Sequence, residues 1–261
     1  MRHVTRILAL PLLLVVLCTG PVSADSSPEA SVWLEKLTEA YNKAYRVHYL
    51  AEMNVDQMGQ AISMQMEGVT TQADRKHMRM ELKIVMALGE MRTSIAMLGV
   101  LDGETLWLQS DNPLAGGVQV TRIPADQAQQ LAGGAGLAGG ASGIDPVGQI
   151  EQMANAFDFE VAEVAGGEVT LLAKLTQESL AEISAMLPPD AVGLEQFALV
   201  LDEKTAFPRS MRIGGEVPFM VMRFDDPDFI DPDKLDPGTF QYTPPEGAKV
   251  IDMGATISVD E

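Results

Sequence analysis

The sequence predicts an α+β protein built on one large antiparallel sheet of about eleven strands. Two observations predict this class. A single helical pattern stands near the start, and it is followed by many short segments in which apolar and polar residues alternate. Short polar or glycine-containing turns separate these segments, as in a meander whose sheet has one apolar and one wet face.

The first 24 residues predict a secretory signal peptide that is removed. Basic residues precede the apolar run Ile7 to Leu17, which is too short for a permanent anchor, and Val22-Ser23-Ala24 is a small-residue cleavage site. The only cysteine, Cys18, lies inside this segment. It could be the acylated cysteine of a bacterial lipoprotein, but the preceding Leu17 disfavours that alternative. Residues 25–261 are predicted to form a single domain.

Charge limits the partners of this domain. After residue 24 the chain has 16 basic and 37 acidic residues, a formal charge of −21. Such a chain is repelled by phosphate backbones and by anionic membrane surfaces. We therefore expect no nucleic-acid partner, although solubility alone could also explain the acidity.

One amphipathic helix is predicted at the start of the domain. Ser27 is a suitable N-cap and Pro28 suits the first turn. The apolar residues at helical spacing are Trp33, Leu37, Ala40, Tyr41 and Ala44.

The alternation changes to period two at Tyr45, where the first strand begins. Further strands are predicted at 61–70, 77–86, 91–98, 105–109, 118–123, 159–164, 168–175, 196–201, 210–214, 218–224 and 239–242.

Two helices and one loop are predicted between the later strands. The helices cover 146–156 and 177–187, and Gly and Ala dominate 125–143, which predicts a flexible insert. Gly134, Gly136 and Gly139 match G-x-G-x-x-G, but the strand and βαβ unit that give this motif its meaning are missing. No dinucleotide cofactor is expected.

Methionine is unusually frequent on the predicted strands. The segment HMRMEL places Met78 and Met80 on one side, opposite Arg79 and Glu81. Methionine is flexible and polarizable, so a methionine face can repack around objects of variable shape. Ordinary core packing is the simpler explanation. Soft thioether ligation of Cu(I) is a second alternative, disfavoured by the lack of thiols.

Catalysis and hard metal ions have little support. There is no G-x-S-x-G, no H-E-x-x-H and no cysteine nucleophile, and only two histidines follow the signal peptide. The six aspartates between Asp225 and Asp236 are too irregular for an EF-hand and predict a solvated, proline-stiffened linker. The chain is not expected to be an enzyme.

Two segments resemble a known family. DGETLWL at 102–108 and FQYTPPEGAKVID at 240–252 resemble the bacterial outer-membrane lipoprotein carriers, the LolA-like proteins. The resemblance implies a periplasmic, open and strongly curved antiparallel half-barrel whose concave apolar face is covered by helices. It also implies that the protein binds acyl chains of lipoproteins or lipids and exchanges them with a membrane donor or acceptor protein. We expect a monomer. In these carriers, as the resemblance implies, a basic residue links the helical lid to the half-barrel. Arg75 and Arg79 lie in roughly the right strand for this role, but no flanking motif distinguishes them, so neither is assigned to it.

The residues expected to line the hydrophobic cavity are Met64, Met66, Met78, Met80, Leu82, Met97, Leu106, Leu108, Met211 and Ile213. Their facing is inferred from alternation, and a register error of one residue would invert a strand. An envelope sensor or protein-interaction module on the same fold is the alternative function, and a structural protein with a filled core is a third.

Overall fold

The structure is a computed structural model that describes residues 26–57, 60–89, 91–112, 117–128, 157–175, 196–214, 218 and 220–254. The predicted signal peptide, the two later helices and residues 129–143 of the insert lie outside these residues.

The predicted N-terminal helix is present as α1, Pro28–Tyr41. The Ser27 hydroxyl accepts a hydrogen bond from the Ala30 amide at 3.2 Å, and Pro28 occupies the first turn, where a missing N–H costs nothing. The helix ends earlier than predicted, so Ala44 is buried outside it. Within the described residues no helix combines the length and the apolar character needed to cross a membrane.

The strands are β1 Tyr45–Gln57, β2 Gln60–Asp74, β3 His77–Leu88, β4 Met91–Asp102, β5 Thr105–Asn112, β6 Gly117–Pro124, β7 Phe157–Ala165, β8 Glu168–Leu175, β9 Gln196–Asp202, β10 Pro208–Ile213, β11 Met220–Phe224, β12 Asp228–Phe229 and β13 Lys249–Asp252.

All thirteen strands belong to one open sheet, two more than predicted. The order is β13-β6-β5-β4-β3-β2-β1-β11-β10-β9-β8-β7, and β12 pairs with β1 beside this path. Neighbours are antiparallel except β13 and β6, which are parallel. The first strand, β1, therefore lies in the middle of the sheet, because it pairs with both β2 and β11.

The predicted strand at 239–242 is wrong. Residues Pro237–Phe240 form a 3₁₀ turn capped by Asp236. Phe240 and Tyr242 alternate as in a strand, but prolines on both sides remove the backbone donors that a ladder needs. The aromatic rings instead anchor the segment on the outer face, with Phe240 6.0 Å from His77 and Tyr242 5.5 Å from Trp107. The final strand is β13, which follows the PPEG turn.

The predicted insert does not begin as a loop. Residues 125–128 are helical, and the Ala125 amide donates to the Glu104 carbonyl at 2.8 Å. Ala128 packs against the main core cluster, so this start of the insert is tied to the sheet.

Two hairpins are closed by the same aspartate turn. Asp102 in DGETLWL accepts hydrogen bonds from the amides of Glu104 and Thr105 and from the Trp107 indole at 3.1 Å. Asp202 accepts from the amides of Lys204 and Thr205. Aspartate favours such turns because its side chain bonds the backbone two and three residues on. The DG-x-x-LW motif is therefore a structural feature of the sheet.

Arg209 on β10 links three carboxylates that lie at the ends of neighbouring strands. Its guanidinium lies 2.7 Å from carboxylate oxygens of both Asp202 and Asp226 and 4.0 Å from Glu168. Burial raises the pKa of Asp202, but hydrogen bonds from Arg209 and Thr205 outweigh it and lower that pKa to about 2.

This pKa predicts an acid-dependent loss of stability. Because the folded-state pKa of Asp202 is below the unfolded value of 3.8, its contribution is complete above that value and is lost as pH falls towards 2. Asp202→Asn should lower the free energy of unfolding at pH 7, and the difference from the parent chain should shrink between about pH 4 and pH 2. Urea unfolding across this range checks it, with exposed Glu203→Gln as the control. A difference that stays constant down to pH 2 would contradict the assignment.

Candidate functional site

One face of the sheet carries a continuous apolar surface. Along each strand every second side chain points to this face, and the register aligns these positions from strand to strand. The main core cluster lies on it and includes Val47, Tyr49, Met80, Leu82 and Leu199. We call this surface the apolar face.

All ten residues predicted to line a cavity lie on the apolar face. Six belong to the main core cluster: Met78, Met80, Leu82, Leu106, Met211 and Ile213. Met64 is buried, and the other three are half-buried and pack against the cluster: Met66, Met97 and Leu108. The register is therefore the one that the alternation indicates.

Four methionines form one row across four adjacent strands. Met86 on β3 pairs with Met64 on β2, Met64 pairs with Met53 on β1, and Met53 pairs with Met220 on β11. At a strand spacing of about 4.8 Å, this methionine row spans roughly 14 Å. Met53 and Met64 are 7% and 9% exposed, while the two outer members are half-buried.

A second row lies one pair further along the same strands. Ile84 pairs with Met66, Met66 with Ala51, and Ala51 with Met222 on β11, which in turn pairs with Met211. The middle of the apolar face is thus made mostly of flexible thioether side chains, together with Ile84 and the small Ala51.

The two ends of the face differ in packing. On β7 to β9 the face is filled by rings and branched chains, with Phe159 5.9 Å from Phe197 and both almost fully buried. Helix α1 joins this end, because the Ser27 amide donates to the Phe159 carbonyl at 2.8 Å and Leu37 belongs to the same cluster. Towards β2 to β5, by contrast, several apolar side chains remain half-buried: Met66, Ile84, Met97, Leu101 and Leu108.

A missing side chain makes room for a ring beside the methionines. Gly68 lies opposite Tyr49, and a Cβ on Gly68 would collide with the phenol ring of Tyr49. That ring is 6.2 Å from the ring of Phe224, with which Tyr49 pairs on β11. The next inward position, Thr70, is 1% exposed.

The charged residues of β2 to β5 lie on the outer face of the sheet. On β3 the apolar face carries Met78, Met80 and Leu82, whereas Arg79 and Glu81 form an ion pair of 2.9 Å on the other face. The same alternation places Glu67 on β2, Arg92 on β4 and Arg212 on β10 on the outer face. The inner sides of these strands can therefore pack against apolar groups.

The two candidate latch residues have different places. Arg79 pairs with Glu81 on the outer face and does not point towards the apolar side. The Arg75 Nε donates to the Asn42 side chain at 2.6 Å, directly after α1. The side-chain amide of Gln72, near the end of β2, also donates to the Tyr41 carbonyl at 2.7 Å. The end of β2 and the β2–β3 turn therefore hold the end of this helix.

The predicted site omitted part of the methionine row. Met53, Met86 and Met220 of this row, and Met222 of the row beside it, are not among the residues expected to line the cavity. The missing information is the β1–β11 pairing, which joins residues about 170 positions apart in the chain and which no local pattern reveals.

These features define an open-sheet protein with one large apolar face and a helix whose buried residues join the core at one end of that face. No family model matches the chain, and no curated protein matches it significantly. Among solved structures, LprF from Mycobacterium bovis is 12% identical, with 80% of this chain and 99% of that chain covered and a TM-score of 0.43.

LolA-like proteins are also among the similar structures, as the two sequence motifs suggest. LolA superfamily protein NE2245 from Nitrosomonas europaea is 11% identical and covers 82% of this chain and 97% of its own, with a TM-score of 0.27. A putative outer membrane lipoprotein-sorting protein domain from Vibrio parahaemolyticus is 11% identical, with coverages of 81% and 97% and a TM-score of 0.30. Superpositions with such scores are loose, so the function proposed below rests on the geometry of this sheet.

The contact between Gly68 and Tyr49 gives a stability prediction. Gly68→Ala should lower the free energy of unfolding by about 1 to 3 kcal/mol, because the added methyl group displaces a buried ring. In a Tyr49→Ala background the same change should cost much less. Denaturant unfolding of the four chains of this cycle measures the coupling. Equal costs in both backgrounds would show that the ring is not the obstacle.

Proposed function

We propose that this chain binds and carries acyl chains of lipoproteins or lipids on its apolar face, in the bacterial periplasm. The observation that carries the proposal is the uncharged, methionine-rich surface, whose outer members Met66, Met86 and Met97 are half-buried, next to an end filled by aromatic rings. A protein that only needed a core would gain stability by filling both ends equally well.

The energetics suit reversible binding. Each buried methylene contributes about 0.8 kcal/mol, so roughly fourteen give about 11 kcal/mol. Association costs about 4 to 15 kcal/mol in lost freedom. The balance is a moderate affinity, which a carrier needs because it must release its ligand.

Native mass spectrometry tests the proposal most directly. The mature chain is purified from a bacterial periplasm without detergent, and bound molecules are extracted and identified. A bound mass that resolves into acylated species is expected. A bare polypeptide mass, also after incubation with lipids and acylated peptides, would overturn the proposal in favour of a filled core or an interaction module.

A pair of matched variants locates the binding surface. Met66→Asp puts a charge on the half-buried part of the apolar face, and Gln65→Asp puts the same charge on the exposed outer face one residue away. We expect Met66→Asp to abolish lipid loading and Gln65→Asp to leave it unchanged, because an unpaired carboxylate in an apolar site is costly. Loading is measured by extraction.

A second pair of variants, on another strand, tests whether a loss of loading is caused by the added charge or by misfolding. Met97→Asp and Ala96→Asp repeat the comparison on β4, where Met97 faces inwards and Ala96 is exposed. Circular dichroism verifies that each variant keeps its sheet. Equal loading of inward and outward variants would place the ligand elsewhere.

The methionine row predicts that the site accepts acyl chains of different shapes. Replacing Met53, Met64, Met86 and Met220 together by Leu keeps the surface apolar but removes the flexible, polarizable thioether chains. Loading of a straight saturated chain should persist, while the affinity ratio between saturated and cis-unsaturated chains should change by several fold. Competition titrations with fatty acyl probes measure this ratio, and an unchanged ratio would argue that the row acts as ordinary core.

A further inference from the structure

We propose, resting on the proposed function, that the acyl ligand carries a phosphodiester head group and that Lys249 on β13 binds this head group at the edge of the sheet. The observation behind the proposal is a change from apolar to polar side chains along the inner side of the sheet. The change occurs on β5, β6 and β13, which follow the methionine-rich strands in the sheet order.

One row of paired residues shows this change directly. Leu82 on β3 pairs with Met97 on β4, Met97 with Ser110 on β5, Ser110 with Gln119 on β6, and Gln119 with Lys249 on β13. Residues paired across strands share a face, so all five lie on the inner side. Exposure rises along the row, from buried Leu82 through three half-buried residues to exposed Lys249. An amphipathic ligand has the same gradient from its chain to its head.

The direction of Lys249 distinguishes it from the basic residues of the neighbouring strands. Arg92 on β4 and Arg122 on β6 lie on the outer side, where Arg122 is 2.9 Å from Asp252. Lys249 and Asp252 are three residues apart on β13, so their side chains point to opposite faces. Within the described residues no carboxylate forms an ion pair with Lys249. Its ammonium group is therefore available to a ligand on the inner side.

Neutral polar side chains lie beside this cation. Ser110 and Gln119 occupy the next two places of the row, and Thr121 lies on the same face of β6. These groups and Lys249 extend over three strands, or about 10 Å at ordinary strand spacing. Hydroxyl and amide groups can donate hydrogen bonds to phosphate and glycerol oxygens, while the ammonium supplies the charge. A phosphodiester with its glycerol matches this spread better than a compact carboxylate does.

The polar end lies within reach of the methionine-rich surface. Lys249 is three strands from Met97, roughly 14 Å along the sheet, and the methionine row begins one strand further, at Met86 on β3. An acyl chain that crosses the strands with its end among the methionines therefore brings its head group towards β13.

The acidity of the whole chain does not prevent this contact. The formal charge of −21 after residue 24 acts on an anion mainly from a distance, and salt screens charges that lie further apart than about 8 Å. A phosphate in contact with Lys249 is much closer than that. Because the cation is exposed, its contribution to affinity is modest. Lys249 is thus expected to select the head group, while the apolar face supplies most of the affinity.

Two variants of equal net charge test the inference. Lys249→Gln removes the inner cation, and Lys83→Gln removes an exposed cation from the outer face of β3. Oleoyl lysophosphatidylglycerol and oleoylglycerol, which share the acyl chain but differ in the phosphodiester, are titrated calorimetrically below their micellar concentrations into the mature chain and both variants. We expect Lys249→Gln to weaken lysophosphatidylglycerol binding roughly two- to fivefold, the range of an exposed ion pair, with little change for oleoylglycerol. Lys83→Gln should leave both affinities close to those of the parent chain.

The neutral donors provide a second test, with oleate as a third ligand. Replacing Ser110 and Thr121 together by Ala should weaken lysophosphatidylglycerol binding but leave oleate binding unchanged, because a carboxylate needs only the nearby cation. An equal loss for both ligands would overturn the assignment to a phosphodiester.

The outcomes separate this inference from the proposed function. If Lys249→Gln and Lys83→Gln have the same effect on lysophosphatidylglycerol, or if Lys249→Gln weakens oleoylglycerol equally, the inference is wrong while acyl-chain binding stands. If none of the three ligands binds to the parent chain, the proposed function itself fails.

Discussion

The structure depends on the strict period-two register of one open sheet. Because successive side chains of a strand point to opposite faces, a slip of one residue on any strand would bring charged residues into the apolar face. The pairings keep Met80, Leu82 and Met97 on the inner side and Arg79, Glu81 and Lys83 on the outer side. Burial, charge exclusion and the proposed site all follow from this alignment.

The apolar face divides its tasks between two regions. The end formed by β7 to β9 is filled by aromatic rings, Leu199 and helix α1, and this packing supplies rigidity. The methionine row runs from β11 across β1 onto β2 and β3, where several apolar side chains of the face are half-buried. Flexible side chains specify a packing poorly, so they are tolerated where a neighbouring region already fixes the fold.

Sequence periodicity was sufficient for the local structure. The first helix was predicted because its cap and its apolar spacing agree, and the ten inward residues were predicted because their strands alternate regularly. The strand predicted at 239–242 failed because Phe240 and Tyr242 pack as isolated anchors between prolines. The β1–β11 pairing and the parallel β13 could not be predicted, since both depend on contacts between distant parts of the chain.

The two family-like motifs contribute to the site through the fold. Asp102 and Trp107 of the first motif close the β4–β5 hairpin, and the Tyr242 hydroxyl of the second donates to the Gln109 side chain at 2.8 Å on the outer face of β5. Asp102, Trp107 and Tyr242 make these contacts away from the apolar face, whereas Leu106 and Leu108 of the first motif lie on it. The outer residues therefore hold the strand in place, and the inner residues of the same strand can change without disturbing these outer contacts. This separation explains how a sheet with such outer motifs can have methionine where a stiffer pocket would have aromatic rings.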